Sequence, residues 1–318
     1  HGGAVINALA RFGDGLPAHV LPLSLHAVTS LGHDAMVTAF NAGALRIVIL
    51  CDPEHRDELA PLEAEADLTR ALLEGMAHDS DGRIEILTES DPDVLAAALS
   101  AAAGPRIVSE VHRFSPVGGK RDVARMAISA LHEASPEAPE VFPLPENAPY
   151  GRITVASDGC TLCLSCVSAC PAGALSDNPD RPQVSFIETA CVQCGLCQTT
   201  CPEKVITLEP RFNTAASAMQ AVILHEEEPA NCISCGKPFG TRSTIERIKS
   251  KLGGQHHMFK SEAQIRLIEM CDDCRIDAQW NMDDSLLRSG SRPRIRTTED
   301  YINADKQGLS VDDFLKED

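Results

Sequence analysis

Short apolar runs alternate with helical stripes along the first 135 residues. Val20 to Leu25, Ala44 to Leu50 and Arg83 to Thr88 read as strands, while Leu59, Leu62, Ala66, Thr69, Leu73 and Met76 recur at the three-and-four spacing of a buried helical face. Asp91-Pro92 opens a further helix through Leu95 to Ala103, and Gly118-Gly119 precedes one from about Arg121 to His132. Strands and helices that alternate in this way build right-handed crossover units, so the pattern predicts an α/β domain over 1-135 with a parallel sheet covered by helices. Pro136, Pro139, Pro143, Pro145 and Pro149 follow. Proline at that density ends helices and central strands, so 136-149 reads as an extended linker.

From residue 150 the pattern repeats itself. Cys160, Cys163, Cys166, Cys170 and Pro171 recur 31 residues later as Cys191, Cys194, Cys197, Cys201 and Pro202. The flanks repeat as well: Ile153 and Val155 match Val184 and Phe186, and Ala174-Leu175 match Val205-Ile206. Each half reads as a short strand, a cysteine loop, a brief helix after Cys-Pro and another strand, an α+β unit over 150-212. In C-x2-C-x2-C three thiolates wrap one iron-sulfur cube, and the fourth cysteine, followed by Pro, ligates the cube of the other repeat. This predicts a first [4Fe-4S] cluster on Cys160, Cys163, Cys166 and Cys201, and a second on Cys191, Cys194, Cys197 and Cys170. Ser165, Ser168, Gly195 and Thr199 are small enough to let backbone N–H groups face the sulfurs. A tandem zinc site is the competing reading, but structural zinc uses paired knuckles rather than duplicated runs of four.

Asn231 to about Trp280 carries two more pairs, Cys232-x2-Cys235 and Cys271-x2-Cys274. Between them, Ser243 and Glu246 form a capping-box pattern ahead of a helix over 243-252, stopped by Gly253-Gly254, and a second short helix runs over 262-270. Two knuckles of this kind suit Zn2+ in a closed tetrahedral site, giving a small four-cysteine helical module over 213-280. A third iron-sulfur cluster or free thiols are the alternatives, and His256 and His257 are candidate substitute ligands. Residues 281-318, with Arg292, Arg294 and Arg296 among acidic residues, lack an apolar period and read as a mobile tail.

Composition narrows the functions. The 318 residues hold 28 Lys and Arg against 46 Asp and Glu, a net charge of −18, which opposes binding to nucleic acid or anionic lipid. No apolar run approaches the about 20 residues of a spanning helix, so no membrane insertion is expected. Of 13 cysteines only Cys51 stands outside the clusters. In a chain of this size clustered thiols indicate metal rather than disulfides, and with no signal peptide visible they suit a reducing cytoplasm. The opening His1-Gly2-Gly3, without Met, is compatible with a fragment of a longer protein.

Cys51 ends an expected strand, where α/β folds often place ligands, but a lone thiol there is more often a small buried hydrophobe. Gly118-Gly119-Lys120 is an incomplete anion-binding pattern. His19, His26, His33, His55, His78, His112 and His132 show no ligand pairing and are assigned to surface or capping roles.

With every ligand position of both repeats filled, 150-212 resembles a bacterial-type ferredoxin domain with two [4Fe-4S] clusters, which implies low-potential one-electron transfer. The stretch from Val20-Leu21-Pro22-Leu23 through Asp34 to Ala44 and on to Val48-Ile49-Leu50 resembles the delta-subunit-type iron-sulfur domain of methyl-viologen-reducing hydrogenases. Its cysteine positions are held here by Ser24 or His26 and by Asp52-Pro53-Glu54-His55 beside Cys51, which implies a cofactor-free docking domain. The whole order, closing with Cys232-Ile233-Ser234-Cys235-Gly236 and Cys271-Asp272-Asp273-Cys274, is similar to the carboxy-terminal half of the large 4Fe-4S ferredoxin-type proteins associated with formate dehydrogenases. That resemblance implies a redox protein partner, with formate dehydrogenase or its maturation machinery the first candidate. Electron carrier and accessory maturation factor are thus the two functional expectations. An enzyme acting near Cys51 ranks last, for want of a triad or nucleotide motif.

Overall fold

A computed structural model describes residues 1–101, 104–108, 117–252, 261–281 and 295–315. It mixes helices and sheets and divides into two units, His1–Glu228 and Pro229–Asp318. Among the described residues no helix is long and apolar enough to cross a membrane.

The first unit starts with α1 (Gly2–Phe12) and α2 (His33–Asn41). Next come β1 (Ile47–Leu50), α3 (Leu59–Gly75), β2 (Ile84–Leu87), α4 (Pro92–Ser100) and α5 (Lys120–Glu133). The stripe expected on α3 is buried: Leu62, Ala66, Thr69 and Leu73 face inward, with Leu68 and Leu72 widening the face. α4 starts where Asp91 accepts the Asp93 N–H, with Pro92 in the first turn. β1 and β2 pair in parallel through the α3 crossover, Ile47 opposite Ile84 and Leu50 opposite Leu87.

The expected strand at Val20 to Leu25 does not form. Leu21 and Leu23 are each 86% exposed, so the run has no sheet or core to bury it, and the parallel sheet among the described residues has two strands.

The proline-rich stretch is extended, as its composition dictates, but it is not a free linker. It contains β3 (Val141–Pro143), which pairs antiparallel with β7 (Ile206–Asn213) further along the chain. Phe142, Leu144, Ala148 and Tyr150 enter the same core as Met36, Phe40, Leu72 and Ile128. Gly75, at the end of α3, lies so close to the Phe142 ring that a Cβ there would run into it. Burial of three or four large side chains outweighs the absence of proline N–H groups, so the segment joins two regions read from sequence as separate. His33 adds a polar link. Its ring pairs with Glu65 Oε2 at 2.7 Å and with Tyr150 Oη at 2.7 Å, which makes it an interior connector rather than a surface histidine. The His33 bond holds the Glu65 carboxyl below the usual carboxylate range, and burial pushes the Tyr150 phenol up to about 12.

The duplicated region supplies β4 (Gly151–Val155), α6 (Ser165–Ala169), β5 (Leu175–Asp177), β6 (Gln183–Phe186), α7 (Leu196–Thr200), β7 and β8 (Val222–Glu226). β4 pairs with β7 and β5 with β6, so each repeat's entry strand pairs antiparallel with an exit strand, and β3 and β8 widen the two sheets to three strands each. A second core, with Ile153, Leu175, Val184, Phe186 and Ile206, lies between them. The brief helices sit before Cys-Pro rather than after it, because proline suits the turn that follows the helix and not its interior. Since β8 pairs with β6, residues 213–228 belong to this unit and not to the four-cysteine module.

The second unit holds the hairpin β9 (Pro229–Asn231) and β10 (Pro238–Thr241), then α8 (Arg242–Leu252), α9 (Glu262–Arg266) and α10 (Asp272–Asn281). The Thr241 hydroxyl accepts the Thr244 N–H at 3.2 Å, so α8 starts one residue before the expected Ser243 cap. α9 has a capping box of Ser261 and Gln264 and continues as a 3-10 turn to Glu269. The expected tail contains α11 (Thr298–Gln307), opened by Thr297 with Asp300 and closed at Gly308 with φ 68°, and α12 (Val311–Phe314). Gly253-Gly254, His256, His257, Arg292 and Arg294 lie outside the described residues, as does His112.

Candidate metal centres

The duplication is visible atom by atom in the two cysteine loops. β4 and β6 each lead into a 3-10 turn, Ser157–Gly159 and Glu188–Ala190, that delivers the first cysteine. The residue before the second cysteine is left-handed in both loops, Leu162 with φ 49° and Gln193 with φ 53°. So is the residue after it, Leu164 with φ 59° and Gly195 with φ 76°. This alternation turns successive N–H groups inward as a nest for negative charge. The Leu162 N–H faces the Cys160 sulfur and the Gln193 N–H faces Cys191; Val167 and Gln198 do the same for Cys166 and Cys197. Side-chain size is not what frees these donors, since Leu and Gln serve as well as the small residues expected to.

Cys170 and Cys201 stand just past α6 and α7, where the chain turns away from its own loop. Cys201 therefore lines one cavity with Cys160, Cys163 and Cys166, among Leu162, Val184 and Ile206. Cys170 lines the other with Cys191, Cys194 and Cys197, among Ile153, Phe186 and Leu208. Three thiols from one repeat and the last from the other meet in each cavity. Burial pushes Cys160, Cys191 and Cys197 up from the ordinary thiol range, and Cys166 to about 11. Such apolar-walled thiols become thiolates only beside a bound cation, which suits soft iron. The donor set fits an iron-sulfur cube in each cavity.

Residues 159–206 match the family model of the 4Fe-4S dicluster domain. No curated protein matches the chain. A ferredoxin-type 4Fe-4S domain thus occupies this segment, and its chemistry is that of iron-sulfur electron transfer.

Cys232, Cys235, Cys271 and Cys274 form a different kind of site. Their four sulfurs lie within 4.8 Å of one another, with Cys235 Sγ 3.7 Å from Cys271 Sγ. A tetrahedron of sulfurs about 2.3 Å from a central ion has edges of about 3.8 Å, so the set fits one ion. A cube, with an iron at each ligated corner, holds its thiolates farther apart. Among the described residues no other group of three or more such ligands is this tight. The first knuckle is a β9–β10 turn: Gly236, with φ 76°, donates to the Cys232 carbonyl at 2.8 Å and Cys232 donates to Lys237 at 2.9 Å. The second knuckle is the first turn of α10, where the Arg275 N–H reaches the Cys271 carbonyl at 2.8 Å. Burial opposes charge on Cys232, but N–H groups of Cys235, Cys271 and Ser234 outweigh it and bring that thiol down.

The remaining candidates gain no chemistry. Cys51 is 1% exposed; burial, helped by the Glu58 carboxylate, pushes its thiol up, the opposite of a nucleophile. The N-terminus of α5 is closed by its own Asp122, whose carboxylate accepts the Gly119 N–H at 2.9 Å, leaving no room for an external anion. His78 and His132 pair with the Leu131 and Pro139 carbonyls.

Three residues around Cys191 and Gln193 and one lining the first cavity were not singled out from sequence. Arg121 donates to the carbonyls of Pro149, Thr189 and Cys191 at 2.6, 3.1 and 2.5 Å, under the ring of Tyr150 at 4.5 Å. The Gln193 amide nitrogen donates to the Arg152 carbonyl at 3.0 Å and to Cys191 Sγ at 3.4 Å. Gly151 admits that amide, because a Cβ would collide with it. Glu203 lines the first cavity. Gln193 and Glu203 could have been found by aligning the repeats, where Leu162 and Ala172 are their counterparts; Arg121, 70 residues from Cys191, carried no such signal.

Proposed function

We propose that the chain is an electron-transfer protein that holds two [4Fe-4S] clusters and passes single electrons to or from a partner oxidoreductase. The observation that carries this reading is the crossed lining of the two cavities, four thiols each, with the fourth supplied by the opposite repeat. The first cluster would sit on Cys160, Cys163, Cys166 and Cys201, the second on Cys191, Cys194, Cys197 and Cys170. When bound they supply one-electron chemistry. The chain's own part is to exclude water with Leu162, Val184, Ile153 and Phe186 and to aim N–H groups at the sulfurs, which stabilises their negative charge. The tight set of Cys232, Cys235, Cys271 and Cys274 would hold one structural Zn2+.

The partner is proposed to be an oxidoreductase with a basic docking face, since an acidic chain steers toward one and the association weakens with salt. The likeness of the cysteine segments to ferredoxin-type proteins associated with formate dehydrogenases makes that enzyme the first to assay. The alternative, a maturation factor, predicts stoichiometric binding to apo-enzyme without turnover.

The test is metal and sulfide content of protein purified without oxygen, with EPR after dithionite. About eight irons, eight sulfides and one zinc per chain are expected, with signals from two interacting clusters. About twelve irons and no zinc would overturn the zinc assignment, and fewer than about eight irons would overturn the two-cluster carrier.

A further inference from the structure

The two cavities are built from the same repeat, yet their surroundings differ in charge in one consistent direction. At equivalent positions of the duplication the first cavity has Leu162 and Glu203 where the second has Gln193 and Ala172. Gln193 directs an N–H at Cys191 Sγ; Leu162 has no polar group to offer Cys160 from its side chain. Its amide nitrogen is fixed in place, because both neighbours, the Arg152 carbonyl and the Cys191 sulfur, are acceptors. Glu203, an acidic residue, lines the first cavity where the second has Ala172, and the Glu227 carboxylate also acts on Cys160. From outside the repeat Arg121 brings a half-buried guanidinium, anchored by three carbonyls that include that of Cys191 itself. The neighbouring carboxylate Glu188 is matched by a two-point pair with Arg211, 2.7 Å on each oxygen, so it does not cancel Arg121.

Adding an electron to a cluster adds negative charge. A cation and an N–H···S bond favour the reduced form, and a carboxylate disfavours it; inside a protein these effects are far less screened than in water. We propose that Arg121, Gln193 and Glu203 make the two clusters unequal, so that a single electron taken up by this chain comes to rest at the second site (Cys191, Cys194, Cys197 and Cys170). The inference rests on the two-cluster reading above. The step is a one-electron transfer from a low-potential one-electron donor, dithionite in the test, with no bond made or broken and no proton moved. Electrons that reach the first site therefore run downhill to the second, and Arg121 links that site to the N-terminal core through Tyr150 and His33.

The experiment is an EPR-monitored redox titration of the full, anaerobically purified chain. Two one-electron steps are expected, separated by at least a tenfold preference, about 59 mV for such a couple. Arg121→Gln should lower the upper step and leave the lower one in place. Glu203→Ala, at a half-buried position lining the first cavity, should raise the lower step alone, and it tests the same point independently of Arg121. Cys163→Ser, which removes a ligand of the first site, should empty that site, leave about four irons and abolish the lower step, and so assign it. Coincident steps with about eight irons present, or loss of the upper step in Cys163→Ser, overturn the inference and leave the two-cluster reading standing. Fewer than about eight irons in the unsubstituted chain overturns both.

Discussion

Eight cysteines in one region and four in another are held by opposite means. Around residues 159–206 the thiols stand on loops fixed by two three-stranded sheets and a core of their own, and they line two cavities with no three of their sulfurs drawn within 4.8 Å of one another. At Cys232, Cys235, Cys271 and Cys274 the sulfurs converge within 4.8 Å, while the buried side chains of that unit, among the described residues, are few: Leu267, Ile268, Thr241, Asp300 and Ala304 beside two of the cysteines. What the sulfurs can hold is set by their mutual distance, and what holds the sulfurs depends on how much core lies beneath them. The ferredoxin-type segment carries its ligands on a folded scaffold. The four-cysteine module, among the described residues, has little apolar burial to hold its ligands in place.

The largest expected effect follows from that contrast. With zinc as the proposed ion, its binding energy is the module's folding energy, on the order of 10 kcal/mol. Cys271→Ala, or a zinc chelator, should unfold residues 229–281, seen as new protease cleavage there and loss of zinc. Iron content and the EPR signals should stay as they are. Persistent protection of the module after zinc loss would break the comparison at its root.

Next in size is the crossing of ligands, which paired substitutions expose. Cys170→Ser combined with Cys194→Ser should remove one cluster and leave about four irons, because both residues line the second cavity. Cys170→Ser combined with Cys163→Ser should remove both clusters, although the two residues belong to one repeat. The reverse pattern of iron counts would show that each repeat ligates its own cluster.

The same contrast explains what could be read from the amino-acid order. The lining of each cavity was legible, because ligand spacing and the 31-residue duplication fix which cysteine faces which loop. The tight set was legible for a similar reason, two knuckles at short spacing. Non-local packing was not. Nothing in Val20 to Leu25 reveals that its leucines lack a partner strand, and nothing in the prolines of 136–149 shows that Phe142 and Tyr150 are core residues. Arg121 escaped notice because its three acceptors are backbone carbonyls 28 to 70 residues away, and carbonyls have no sequence signature.

The smallest effect lies within the duplication itself. Gly195 and Leu164 are equivalent positions, both left-handed, yet one is glycine and the other is not. A Cβ on Gly195 would find ordinary contact with Leu208 Cδ1 at 3.7 Å, so space is not the obstacle; φ 76° is. Leu164 meets the same backbone cost in the first loop and offsets it by packing, as it lines the cavity and lies against the core. Gly195→Ala would incur the strain without an equivalent contact, about 1 kcal/mol, or roughly a fivefold shift in the folding equilibrium. Denaturant titration followed by cluster absorbance should show that loss, whereas Leu164→Ala should be at least as costly because it keeps the strain and gives up the packing. Equal stability in Gly195→Ala would mean that the loop reaches its N–H···S geometry without the left-handed residue, and the nest would then be a consequence of the bound cluster rather than a preformed feature of the chain.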